Sequence, residues 1–138
     1  MYMNIKTDEQ LKKNNPELYR VAREGGTERA GSSDLLHVDD EGMFHCAVCD
    51  AVLFDSDTKF DSGSGWPSFT DPVDKKAVIL VHDSSHGMRR TEVRCANCKA
   101  HLGHVFPDGP ERKGEGERDF GRHDRYCING ISLEMNNK

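Results

Sequence analysis

Five cysteines stand in this chain, and four of them form two Cys-x-x-Cys pairs, Cys46/Cys49 and Cys95/Cys98. Each pair puts two sulfurs on one tight turn, so each turn supplies one edge of a tetrahedron. Four thiolates leave no open position for water or substrate. The ion expected there, one zinc, is therefore structural, although rubredoxin-like iron satisfies the same donors. The 45 residues between Cys49 and Cys95 are too many for a local finger, so the whole fold must bring the turns together. A thioredoxin-like redox pair fits less well, because two equivalent pairs occur and no βαβ pattern surrounds them. The fifth thiol, Cys127, lies in Arg125-Tyr126-Cys127-Ile128-Asn129 and is left free for chemistry. On a strand, Arg125, Cys127 and Asn129 share a face. A cation beside a thiol favours the nucleophilic thiolate, and the Asn129 amide offers polar contacts. A small, buried, inert Cys127 is the competing reading.

Two further segments carry reactive or shaping side chains. In His101-Leu102-Gly103-His104-Val105-Phe106 a regular strand would put the histidines on opposite faces, so the glycine is expected to mark a bulge that re-aims one of them. The pair then suits acid–base work, with satisfied structural histidines as the alternative. Gly63-Ser64-Gly65-Trp66-Pro67-Ser68-Phe69 holds the sole tryptophan in a Gly-Pro-restrained loop. Trp66 there is either core filler or the wall of a pocket for an apolar group. His45 reads as a strand residue; His37, His82, His86 and His123 read as surface residues.

These residues need a scaffold. Residues 6 to 24 read as two helical pieces: Thr7-Asp8-Glu9-Gln10 matches a capping box, Asn15-Pro16 restarts a helix, and Gly25-Gly26 ends it. From residue 42 onward the pattern is short strands and turns. Met43–Val48, Ala51–Phe54, Ala77–Val81, Met88–Arg94, His101–Phe106 and Tyr126–Leu133 are the candidate strands, and 107–124 reads as a long exposed loop. A mainly β, antiparallel core with small helices at its edge follows. The 138 residues are expected to form a single domain, with 1–7 and 135–138 as loose termini. A net charge of −5 argues against a nucleic-acid partner. No apolar run approaches the ~18 residues of a membrane span, and the first residues lack a secretory h-region. A reducing, cytoplasmic setting is expected, where Cys-x-x-Cys pairs read as metal or redox motifs.

Taken together, Gly65–Phe69, His101–Phe106, Arg125–Asn129 and both cysteine pairs resemble the B-type methionine sulfoxide reductases, over roughly residues 8 to 134. The resemblance implies two antiparallel sheets, with the zinc opposite the active site. It implies reduction of the R epimer of methionine sulfoxide, chiefly in proteins. Cys127 would be the nucleophile that becomes a sulfenic acid. His104, with His101, would deliver or organise protons, and Asn129 and Arg125 would orient or activate the thiol. Trp66 would pack on the substrate methyl, Phe106 is a further substrate-side candidate, and Asp108 is an outer one. Ser64 stands where many relatives carry a resolving cysteine, so an external thiol such as thioredoxin is the expected reductant of a monomeric enzyme. The 111–123 loop looks longer than usual, and Gly130 replaces an expected serine. A zinc module of the same architecture without catalysis, and an iron electron carrier, are the competing classes. A binding module has no need of Cys127, His104, Asn129 and Trp66 together.

Overall fold

A computed structural model describes residues 5–36, 41–84, 87, 89–110 and 123–137. The chain opens with α1 (Asp8–Asn14) and α2 (Pro16–Glu24). Thr7 and Gln10 satisfy one another's backbone N–H groups, which is the expected capping box, and Asn15 caps the second helix through Leu18 N. Among the described residues nine strands follow: β1 (Gly42–Cys46), β2 (Val52–Asp55), β3 (Lys59–Phe60), β4 (Ser68–Phe69), β5 (Val78–Asp83), β6 (Arg90–Cys95), β7 (His101–Phe106), β8 (Arg125–Ile128) and β9 (Leu133–Asn137). They pair antiparallel into a three-stranded sheet, β2-β1-β9, and a six-stranded sheet, β3-β4-β8-β7-β6-β5. The mainly β class with two antiparallel sheets is as read from the sequence.

Aromatic rings lock the sheets together. Phe69 of the larger sheet stacks on Phe54 at 4.4 Å and meets Phe44 edge-on at 5.1 Å, both from the smaller sheet. Leu53, Val93, Leu102 and Ile128 complete a core from which water is excluded, and Leu11, Leu18 and Ala22 attach the helices to it.

The run Tyr126–Leu133 is not one strand. A 3₁₀ turn at Gly130–Ser132 interrupts it, and the chain leaves the larger sheet as β8 and enters the smaller as β9. β3 and β4, two residues each, are additional to the expected strands. Residues 135–137, expected to be loose, extend β9 against β1, and Lys6 N donates to Val48 O at 2.9 Å. Most of the expected 107–124 loop, with its 111–122 stretch, lies outside the described residues, as do His37, His86 and Met88. No helix among the described residues is long and apolar enough to cross a membrane.

Candidate active site and metal centre

The two Cys-x-x-Cys segments are the turns of two hairpins, β1–β2 and β6–β7, which belong to different sheets. Their backbones match bond for bond. Asp50 N donates to Cys46 O and Lys99 N to Cys95 O, both at 2.8 Å; Cys46 N reaches Ala51 O and Cys95 N reaches Ala100 O at 2.8 and 2.9 Å. Asp50 and Lys99 take up the left-handed conformation, φ 68° and 67°, that lets each turn close. Nothing in the residue types after each pair announces that strain.

The four sulfurs lie within 4.8 Å of one another and all four residues are buried. Cys46 to Cys98 and Cys49 to Cys95 are each 3.6 Å. A tetrahedron with metal–sulfur bonds of ~2.3 Å has edges of ~3.8 Å, so this set fits a closed S₄ ion of the zinc or iron type. In the absence of a bound ion, thiols crowded this way deprotonate at widely different pH. The sulfur of Cys49, hydrogen-bonded by Cys46, Cys95 and Cys98, is held far below the usual thiol range, and that of Cys46, facing Cys49 and the same neighbours, is driven far above it.

The second group of side chains is assembled by strand register. Ser68 opposes Cys127, Cys127 opposes His104, and His104 opposes Glu92, so four residues from β4, β8, β7 and β6 form one row on one face. Between β6 and β7, Val93 opposes Gly103 but Arg94 opposes His101, leaving Leu102 as an extra residue on β7. This is the anticipated bulge, with Leu102 rather than Gly103 as the inserted residue. It swings His101 onto the side of His104, and the two rings lie 5.6 Å apart. Gly103 serves close approach: a Cβ there would strike the carbonyl of Cys127.

Each histidine is held by a carboxylate from another strand of the same sheet, His104 by one from β5 and His101 by one from β6. His104 Nε2 bonds Asp83 at 2.8 Å, and Arg90 reaches the same oxygen at 3.4 Å. His101 Nδ1 bonds Glu92 at 2.6 Å, and Arg94 holds the other Glu92 oxygen at 2.9 Å. Burial pushes His101 toward the neutral form, against the pull of Glu92. Glu92 stays below the usual carboxylate range although burial opposes it, because Arg94 and His101 both bond its charged form.

Cys127 lines a small cavity of about 110 Å³ with Trp66, Phe106, His104, Gly103 and Asn129, and Thr27 and Arg90 line it too. None of the four clustered cysteines reaches that cavity. The Trp66 indole N–H donates to Glu28 O at 3.0 Å, which sets the ring. Asn129 is buried and its amide is committed: Oδ1 accepts from Glu28 N at 3.0 Å and Nδ2 donates to Leu102 O at 2.9 Å. Arg125 stacks over Phe106 at 4.4 Å and forms a two-pronged pair with Asp108 at 2.8 and 3.3 Å. His82 is exposed and His123 sits at the neck of the long loop, bonded to Gly109 and Pro110.

Arg125 favours the Cys127 thiolate, as expected, but its pull is not the largest effect on the thiol. Burial dominates and raises the thiol above its ordinary range; the Ser64 hydroxyl, 3.9 Å from Sγ, and Arg125 recover only part, while Glu28 and Asp108 add to the rise. The charge of Arg125 is largely spent on Asp108. Alkylation of Cys127 by iodoacetamide, followed by peptide mass spectrometry, should therefore keep accelerating with pH beyond the range of a free thiol. Ser64→Ala should move that curve further up; a midpoint below that of a free thiol would contradict the ordering of these effects.

Glu28, like Asp83 and Glu92, is a residue that sequence reasoning passed over. Its backbone serves Asn129 and Trp66, and its buried carboxylate accepts from Gly130 N at 2.7 Å and Ile131 N at 3.0 Å. Gly130 belongs to this knot, since a Cβ there would overlap Ser33. Glu28→Ala strands two amide donors and should lower stability in urea unfolding by about 2–4 kcal/mol. A loss under about 1 kcal/mol would mean that water replaces the carboxylate without cost.

Comparison with known proteins adds a second line of observation. The SelR domain family model matches residues 14–137. Over 133 residues the chain is 49% identical to proteins named peptide methionine sulfoxide reductase MsrB from Escherichia coli strain K12 / DH10B and from Escherichia coli O157:H7 strain EC4115, covering 96% of this chain and 90% of theirs.

Proposed function

The chain belongs to the SelR family of peptide methionine sulfoxide reductases, and from that premise we propose that it reduces the R epimer of methionine sulfoxide, chiefly in proteins, through Cys127. The observation that carries the residue assignment is the register pairing of Cys127 with His104 in a cavity walled by Trp66 and Phe106. That cavity is of a size for the S-methyl end of one side chain. Trp66 and Phe106 receive the methyl, and the polar side of the cavity meets the sulfoxide oxygen.

In the reducing step the Cys127 thiolate attacks the sulfoxide sulfur, the oxygen passes to Cys127 as a sulfenic acid, and the thioether of methionine leaves. A thiol raised by burial must lose its proton on the way, and the departing oxygen must gain one. His104 serves both needs. Asp83 occupies its Nε2, so Nδ1 is the atom that exchanges the proton. His101, kept neutral beside it and oriented by Glu92, supports that transfer. Asn129 acts by position, tying the end of β8 to the bulge at Leu102. Arg125 contributes a modest electrostatic pull on the thiolate.

Cys46, Cys49, Cys95 and Cys98 would hold one zinc ion, which supplies a cross-link between the sheets. With those thiols occupied and Ser64 in place of a resolving cysteine, an external thiol, thioredoxin or a small molecule, reduces the sulfenic acid. We further infer a monomer acting in the cytoplasm. Reduced protein mixed with one equivalent of the R-sulfoxide should release one methionine and carry one added oxygen, or one added external thiol, on Cys127. A disulfide from Cys127 to another cysteine of the chain would overturn the regeneration scheme. Equal turnover of the S epimer would overturn the epimer assignment.

A further inference from the structure

Among the described residues that line the Cys127 cavity, Arg90 is the one permanent cation. Strand register brings it there. Arg90 opposes Asp83 on β5 and stands two residues before Glu92, so its side chain lies on the face that carries the row from Glu92 through His104 to Cys127. Its hold on Asp83 is long, 3.4 Å from one terminal nitrogen, and its Nε is buried without a hydrogen-bond partner among the described residues. A guanidinium carries five N–H donors and stays charged throughout the working pH range. Arg90 is thus a lasting positive charge with donors to spare.

The other donors of that wall are engaged or wet. Trp66 Nε1 donates to Glu28 O, Asn129 Nδ2 donates to Leu102 O, and His104 Nε2 is taken by Asp83. Thr27 is exposed, so its hydroxyl is shared with water. A sulfoxide entering this cavity brings a strongly dipolar S–O bond with its negative end on oxygen. That oxygen becomes more negative as a thiolate adds to the sulfur.

We propose that Arg90 binds the sulfoxide oxygen, stabilises the charge that builds on it, and thereby selects between the epimers. This deepens the reductase reading above and rests on it. As the Cys127 sulfur bonds to the sulfoxide sulfur, an electron pair shifts onto the oxygen. His104 then gives that oxygen the proton it took from Cys127, and Arg90 keeps all of its own. With the methyl on Trp66 and Phe106 and the sulfur at Cys127, the two epimers differ by exchanging the oxygen with the arm that leads to the peptide backbone. One epimer turns its oxygen to Arg90. The other sets a carbon chain there and forgoes a charge-assisted hydrogen bond.

Arg90→Met keeps the reach of the side chain without its donors. Single-turnover release from N-acetylmethionine R-sulfoxide should fall by about a hundredfold or more, while the residual rate on the S epimer holds, so the epimer ratio narrows by the same factor. Two readouts separate this from a disturbed site. Inhibition by N-acetylmethionine, which has the methyl but no oxygen on sulfur, should match wild type, and so should the pH curve of Cys127 alkylation. Arg90→Lys, which keeps the charge but not the fork, should lose about tenfold against wild type, and it carries the test alone if Arg90→Met does not fold. A fall of less than about threefold in both folded variants, or an unchanged epimer ratio, overturns the proposal. So does a loss matched by weaker N-acetylmethionine inhibition or by a shifted alkylation curve. Wild type that releases no methionine from either epimer is a different failure and removes the reductase reading itself.

Discussion

Cys127→Ser is expected to abolish sulfoxide reduction, lowering the single-turnover rate by at least about ten-thousandfold. A serine hydroxyl at this position meets the same His104 but is a far weaker nucleophile toward sulfur, and the product it would form has no easy return. No other thiol stands in: the remaining four are buried in the cluster, and the nearest side chain to Sγ in the loop is a hydroxyl. The replacement keeps size and polarity at a half-buried strand position, so thermal unfolding and metal content should match wild type. Methionine released from the R-sulfoxide, quantified by chromatography, gives the rate. A variant that retained a tenth of the wild-type rate would move the nucleophile elsewhere.

Loss of the metal carries the second large effect. The purified protein should contain one zinc per chain and be colourless; a visible absorption band would identify iron instead. Cys95→Ser, or removal of the ion with a strong chelator under reducing conditions, should cost at least about 4 kcal/mol, roughly 15 °C in melting temperature. The reason is architectural. The four cysteines come from hairpins of two different sheets, so an ion held by them would tie together halves that the Phe44, Phe54 and Phe69 rings also join. Those rings remain after metal loss, which is why a partly packed state rather than a random chain is expected. An unfolding curve that ignored the ion would remove its structural role.

The parts of this molecule that the sequence discloses are those encoded over a few neighbouring residues. A Cys-x-x-Cys turn, a capping box and a glycine-interrupted His-x-x-His segment each signal their geometry locally, and each is found, with the bulge falling on Leu102 rather than on the glycine. Long-range placement is different. Glu28 reads as one more surface charge, and its burial depends on partners 101 to 103 positions away. Asp83 and Glu92 meet their histidines only once β5, β6 and β7 are joined in one sheet. β3 and β4 are too short to show any period. Tyr126–Leu133 looks like one strand because apolar residues continue through it; only Asn129 and Gly130 hint at the turn. The net balance at Cys127 is hidden for a related reason. Arg125 is visible as a neighbour, but neither the burial of the thiol nor the diversion of that cation to Asp108 can be seen along the chain.

Placing the ligand turns on separate hairpins has a consequence during synthesis. At about 5–20 residues per second, a ribosome delivers Cys95 and Cys98 roughly 2–10 s after Cys46 and Cys49. Through that interval the first turn is a bare vicinal dithiol, and β1 still awaits β9, whose residues 133–137 emerge later still. The nascent chain is thus most exposed, for those seconds, to the same oxidants that convert methionine to its sulfoxide.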